Sequence, residues 1–336
     1  MRCTALKNKT ALFLCVCLLL LSCGCTRAER KETSLFAMDT IMQITAYGGS
    51  DDALAEARDV IEGLDAALDA TDSQSTLSLL RNGDAVPKTI LEPLQTAKKI
   101  ASATDGALDV TLFPLSDAWG FYTKQYRVPP QTELRTLLQN RGSVSVQNGR
   151  LVLSDGTKLD LGSVAKGYAA DCAAQTLRQN GVQGAVLALG GNVQTVGQKP
   201  DGSDWRVSVA DPLHPDGTVC DLLVGETAVV TSGSYQRSFT ENGKTYHHIL
   251  DPETGAPAES GLLSVTVVCA DGTTADGLST ALFILGLDRG SALWRSGEIA
   301  FDALWITDRG EIFVTAGLAS RVEQTNETYG KANIIE

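Results

Sequence analysis

Apolar positions recur along this chain with two different periods, and the switches between them mark out the elements. Residues 35–47 (LFAMDTIMQITAY) read as one strand. Ser50-Asp51 then caps a helix that carries Leu54, Ala57, Val60, Ile61, Leu64 and Leu68 on a single stripe. The helical period returns over 92–104 and 132–139, and three short strands follow, turned by Asn148-Gly149 and Asp155-Gly156. A helix is predicted over 164–179, ending before Gly181, and strands over 185–189, 205–209, 228–231 and 262–269. Residues 235–241 and 244–250 flank Asn242-Gly243, a strong hairpin signal that sets His248 near a strand end, just before an Asp-Pro turn. Helices over 274–285 and 288–296 and a hairpin around Asp308-Arg309-Gly310 complete the pattern. Strands and helices without regular βαβ alternation predict an α+β fold, with mixed and antiparallel sheets and packed helices.

The N-terminus follows a different logic. Arg2, Lys7 and Lys9 precede an apolar run from Ala11 to Leu21, which is too short to span about 30 Å of hydrocarbon but suits an export signal. Leu20-Leu21-Ser22-Cys23 resembles the bacterial lipobox, in which the cysteine is lipidated. The expected organisation is a lipoprotein signal peptide at 1–22, lipidation at Cys23, a polar tether over 23–34 and a folded body over 35–336, as one domain or two intimately joined. Cys25 is the weaker lipidation candidate, and an ordinary secretory signal is the simpler alternative. The protein is then expected at the cell membrane, lipid-anchored on the extracytoplasmic face.

Of eight cysteines, five lie in or beside this leader, which leaves Cys172, Cys220 and Cys269. Three scattered cysteines make neither a disulfide framework nor a zinc site. The formal net charge is −12, and loss of the three leader cations takes it to about −15. A body so acidic lacks the basic footprint of nucleic-acid binding, and membrane attachment has to come through the lipid.

Four stretches carry candidate chemistry. Asp276 and Thr280 are four apart on a predicted helix, which puts a carboxylate and a hydroxyl on one face, a hard-oxygen pair suited to Mg²⁺. An Asp in a first helical turn also has a simpler use at the positive end of the helix dipole. In LDLGSVAKGYAAD (159–171) a strand ends at Leu161 and a glycine-bearing turn opens a helix. Such a turn can hold an anion with help from Lys166, or it can be purely structural. ALGGN (188–192) is open in the same way. Fourth, two of only three histidines stand together in YHHILDPETG. Strand alternation points His247 and His248 to opposite faces, so one can be chemical while the other is a solvent-facing or structural neighbour.

Taken in order, Met38-Asp39-Thr40, GALDVT (106–111), DLGSVAKGYAAD, LGGN, TSGSYQRSF (231–239), HHILDPETG and ADGLSTALFILG (275–286) make the chain resemble the bacterial FAD:protein FMN transferases, the ApbE-like flavin-trafficking lipoproteins. The resemblance implies an ApbE-like, T-fold-related α+β architecture. It implies Mg²⁺ and FAD, and transfer of FMN to a threonine hydroxyl of an extracytoplasmic acceptor flavoprotein, with AMP leaving. It also implies site residues. Ser163, Asp276 and Thr280 match metal-binding positions. Met38, Ala107, Leu108, Asp109, Asp160, Lys166 and Ile249 match FAD contacts. His248 matches the histidine before Asp-Pro, a candidate base for an otherwise poor hydroxyl nucleophile, although ordering of the Asp-Pro turn is its alternative role. One departure is Thr71, which stands where the family often has an aromatic residue; Tyr235 or Trp119 is then expected to supply stacking. Two rival readings are a Mg²⁺-dependent FAD pyrophosphatase and a non-catalytic flavin- or solute-binding lipoprotein.

Overall fold

Residues 30–47 are a hairpin in this computed structural model, which describes residues 29–336 apart from 215, 325 and 327. The signal peptide, Cys23 and most of the tether lie outside the described residues. β1 (Arg30–Ala37) and β2 (Thr40–Tyr47) pair over eight residues and turn at Met38-Asp39, both with positive φ (48° and 60°). The single strand expected over 35–47 is therefore two, and the tether gives way to folded chain at Arg30 rather than Leu35. The turn lacks the Asn-Gly signature that would have announced it.

Next come α1 (Asp51–Leu68), the one-turn α2 (Thr76–Leu79), α3 (Lys88–Ala103), α4 (Phe113–Ala118) and α5 (Gln131–Gln139). Helix α3 starts one turn before the expected 92, because Pro87 is its cap and Pro93 is carried inside, buried. β3 (Val144–Gln147) and β4 (Arg150–Leu153) form the Asn148-Gly149 hairpin. The third short strand does not form: the Asp160 N–H donates to the Val110 carbonyl at 2.8 Å, in a loop that ends where α6 (Gly162–Gln179) begins.

The second half supplies β5 (Gly184–Leu189), β6 (Asn192–Gly197), β7 (Trp205–Ala210), β8 (Thr218–Val224), β9 (Ala228–Gly233), β10 (Ser238–Glu241), β11 (Lys244–His247) and β12 (Leu262–Cys269). It ends with α7 (Gly272–Ser296), β13 (Asp302–Thr307), β14 (Ile312–Thr315), the one-turn α8 (Ala316–Ala319), β15 (Val322–Gln324) and β16 (Asn333–Ile335). Helix α7 is broken at Gly286 (φ 74°), which separates the two helices that the sequence predicts there.

Nine strands make one sheet in the order β1-β2-β5-β6-β9-β12-β13-β14-β16, antiparallel except for β14–β16. One face is covered by helices: Met42, Ile44 and Leu187 share a buried cluster with Ile61, Ala173 and Leu282. On the other face lies the small sheet β15-β8-β7, whose Val207 and Leu222 join Val229, Val268 and Leu304. Covered on both sides, β12 is buried at nearly every position, which explains its continuous apolar run. The expected α+β class is the observed one.

Candidate active site

A cavity of about 770 Å³ opens where the β1–β2 turn, the loop after α3, the starts of α6 and α7 and the segment after β11 converge. Every residue expected to hold metal, contact FAD or serve as base lines it, from Met38 in the first turn to Thr280 in α7. Its size is ordinary for a small-molecule site.

The walls are held by carboxylates. Asp65 on α1 accepts the Met38 N–H at 2.9 Å and fixes the β1–β2 turn; burial raises its pKa. After α3, Ala107 and Leu108 are buried, and Asp109 accepts both the N–H and the hydroxyl of Thr111, at 2.9 and 2.7 Å. The other Asp109 oxygen lies 3.3 Å from Arg141. Asp160 accepts the Gly162 N–H at 2.8 Å and, on its second oxygen, the Tyr122 hydroxyl. Burial, then the Asp160 charge, push the Tyr122 phenol well above its ordinary range.

Helices α6 and α7 meet at the centre of the site. A Cβ on Gly167 would lie 2.1 Å from the Gly272 carbonyl oxygen, so only glycine permits this approach. The Gly167 N–H donates to Asp276 Oδ2 at 2.9 Å. On the same helix, Asp171 accepts the Gly272 and Thr273 N–H groups, each at 2.8 Å, and so caps α7. Asp276 is 4% exposed, and Lys166 is its counter-charge, with Nζ 3.9 Å from Oδ1. Burial raises its pKa, opposed by Lys166, the Gly167 N–H and Asn192. Thr280 and Ser163 add hydroxyls to the same cavity. Among the described residues, no group of three or more His, Cys, Asp or Glu is placed to hold a metal ion. One buried carboxylate with hydroxyl oxygens suits a hard cation that keeps water or phosphate ligands, and does not suit zinc.

His248 stands one residue beyond β11, not within it. Its Nδ1 lies 3.2 Å from the Gln236 carbonyl. A carbonyl only accepts, so Nδ1 carries the proton and Nε2 keeps its lone pair. Burial, reinforced by the charges of Arg237 and Lys166, pushes the pKa down to about 3, so the ring is neutral at physiological pH. His247 faces the other way, as alternation requires, but it is buried and not solvent-facing. Its Nε2 donates to the Ala258 carbonyl at 3.1 Å and its ring meets Phe283 edge-on.

The aromatic expectation is corrected. Trp119 is buried in a cluster with Phe121, Phe239 and Tyr246, its Nε1 donating to the Gly255 carbonyl at 2.8 Å; neither it nor Tyr235 lines the cavity. Phe121 and Tyr122 do. Thr71 also lines it, with its N–H and hydroxyl both given to Asp69. In LGGN, the glycines form the β5–β6 turn (Gly190 φ 66°) and deliver Asn192 to the cavity wall. Sequence reasoning missed Asp39, Tyr122, Asn192, Ser232 and Arg237 as cavity residues. Four of the five sit inside the blocks already singled out, which is the signal that could have found them.

Residues 38–305 match the ApbE family. The FAD:protein FMN transferase of Klebsiella pneumoniae is 32% identical over 255 residues, spanning 74% of this chain and 78% of that protein. A second, from Treponema pallidum, is 31% identical over 333 residues, spanning 90% and 91%. Among solved structures, the ApbE protein of Thermotoga maritima aligns with a TM-score of 0.80 at 29% identity, over 88% of this chain and all (100%) of that one. The flavin transferase ApbE from Vibrio cholerae gives 0.77 at 27% identity, over 88% and 99%.

Proposed function

Since this chain belongs to the ApbE family, we propose that it transfers the FMN half of FAD to a threonine hydroxyl of an acceptor flavoprotein and releases AMP. The threonine oxygen attacks the FMN phosphorus, the bond from that phosphorus to the bridging oxygen breaks, and AMP leaves with the bridging oxygen. The observation that carries this reading is one cavity holding both a neutral imidazole with a free Nε2 and a buried carboxylate–lysine pair.

His248 accepts the threonine proton at Nε2, while its Nδ1–H bond to Gln236 keeps the ring aimed. Lys166 meets the negative charge of the diphosphate. Met38, Ala107, Leu108, Asp109, Asp160 and Ile249 contact FAD along the cavity wall, with Phe121 and Tyr122 as the available aromatic faces. Ser163, Asp276 and Thr280 would hold Mg²⁺, which when bound neutralises phosphate charge and acts as a Lewis acid. In this part of the site, the chain itself orients Asp276 through Gly167 and excludes water by burial. Attachment to the extracytoplasmic face through Cys23 is part of the proposal and rests on the leader sequence; a Cys23→Ala chain that still fractionates with membranes would remove it.

The test mixes the purified protein with FAD, Mg²⁺ and a candidate acceptor, then measures intact acceptor mass and AMP. The expected result is an acceptor heavier by FMN minus water, with the gain lost on chelation. Free FMN and AMP without an adduct would make the protein a pyrophosphatase. FAD left whole with every acceptor tried would make it a binder.

A further inference from the structure

Among the described residues, seven other than glycine have positive φ, and they divide into two kinds. Asp105, Asn148 and Asn242 each precede a glycine in a turn and are of the short polar type that tolerates this region. The other four, Met38, Asp39, Lys124 and Arg237, all line the active-site cavity, and three of them have long side chains with no such excuse. Strain of this kind gathers where a site requires it.

These residues come from three separate segments, and one carboxylate joins them. Asp39 lies 3.3 Å from Lys124 Nζ and 3.4 Å from Arg237 Nη2. Arg237 also reaches the Met38 carbonyl at 3.5 Å. For a guanidinium with five donors these are long contacts, and with Asp39 and Arg237 each 44% exposed the pair is weak and exchangeable. Arg237 and His248 line the same cavity, and the guanidinium is the leading charge acting on that ring.

We infer that Arg237 is a substrate-contacting residue, held on Asp39 at the mouth of the cavity until an oxygen of the FAD diphosphate takes the place of that carboxylate. A planar guanidinium is well matched to phosphate oxygens, and a diphosphate offers more of them, at higher charge, than Asp39 does. Asp39 is then a positioning residue that keeps the arginine aimed inward and screens its charge while the site is free. The inference rests on the FAD reading above.

The experiment measures equilibrium binding of FAD, ADP and riboflavin to the full chain and to Arg237→Gln, Asp39→Asn and the double variant, with thermal melts to check folding. Arg237→Gln should weaken FAD and ADP about tenfold or more and leave riboflavin unchanged, as for loss of a charge-assisted hydrogen bond. Asp39→Asn should tighten both phosphate ligands by a few-fold, and the double variant should bind like Arg237→Gln alone. Unchanged FAD and ADP affinity in Arg237→Gln would overturn the inference. So would an equal loss for riboflavin, which would make the ion pair a mere clasp between loops. If Arg237→Gln does not fold, Arg237→Lys takes its place: it keeps the charge on Asp39 but loses the planar fork, so weaker FAD and ADP binding with riboflavin unchanged supports the inference and unchanged binding overturns it. Failure of the unaltered protein to bind FAD would instead remove the FAD reading and this inference with it.

Discussion

Gly167→Ala is the sharpest test of how the site is built. The added Cβ would sit 2.1 Å from the Gly272 carbonyl oxygen and 2.8 Å from Asp276 Cβ. A tolerable carbon–oxygen contact is about 3.3 Å, so α6 and α7 must part by roughly 1.2 Å. Overpacking of this kind costs about 1–3 kcal/mol, while alanine in place of glycine inside a helix returns about 0.8–1 kcal/mol. The net expectation is a loss of up to about 2 kcal/mol, read as a melting temperature lower by up to a few degrees. The functional effect should be larger. The same movement stretches the 2.9 Å bond from Gly167 N–H to Asp276, and a misplacement of about 1 Å in a catalytic group typically costs about 10²-fold in rate. Gly63→Ala is the control, since it lies exposed in α1 with nothing within 4 Å of its added Cβ; it should be stabilised by up to about 1 kcal/mol with full transfer activity. Matching melts and matching FMN transfer rates for the two variants would refute the close approach of α6 and α7 and the role drawn from it.

Asp276→Asn relieves a buried carboxylate whose pKa burial already raises, so its melting temperature should hold or rise while transfer falls by at least about 10²-fold; retained activity would remove Asp276 from the reaction. His248→Ala should lose about 10²–10⁴-fold in turnover with FAD affinity nearly intact, and equal losses in both would make the residue structural. The neutral ring is the active form, so activity is lost as pH falls through its pKa. In the free protein that pKa is pushed down to about 3, which leaves kcat/KM without an acid limb from His248 above about pH 5. Bound diphosphate offsets the Lys166 and Arg237 charges, so the acid limb of kcat should lie at higher pH; a limb at lower pH would contradict the assignment. His247 is buried with its pKa below the ordinary 6.5, burial being the main cause. The unfolded chain therefore binds a proton that the native state refuses, and this contribution falls away as pH drops below about 6.5. Urea unfolding at pH 7.5 and 5.5 should show a shallower loss for His247→Asn than for the unaltered chain, and identical slopes would place His247 in solvent.

Local signals decided which parts of the fold could be read in advance. Asn242-Gly243 and Asn148-Gly149 named their hairpins, and the gap between two apolar periods at Gly286 anticipated the break in α7. The Met38-Asp39 turn was hidden because its left-handed backbone is imposed by Asp65 from α1, a contact 27 residues away. Strand β6 (NVQTVG) was hidden because it buries Asn192, Gln194 and Thr195, so its pattern looks polar. In the site, the short motifs carried each residue expected for metal, FAD or base to one cavity, but not the expected stacking residues. Partners such as Tyr122 on Asp160, Arg237 on Asp39 and the approach at Gly167 were beyond reach, since each depends on how distant segments meet.

The β1–β2 hairpin has a mechanical consequence. Among the described residues, strand β1 is the edge of the large sheet and its ladder runs to β2 alone, with its open end at Arg30↔Tyr47 and its closed end at Ala37↔Thr40. Tension or fraying that starts at Arg30 therefore peels the ladder one pair at a time, and the turn that walls the cavity is the last part to feel it. The strand works as a fuse: whatever disturbs the upstream chain is spent on seven residue pairs before it reaches the pair that abuts Met38.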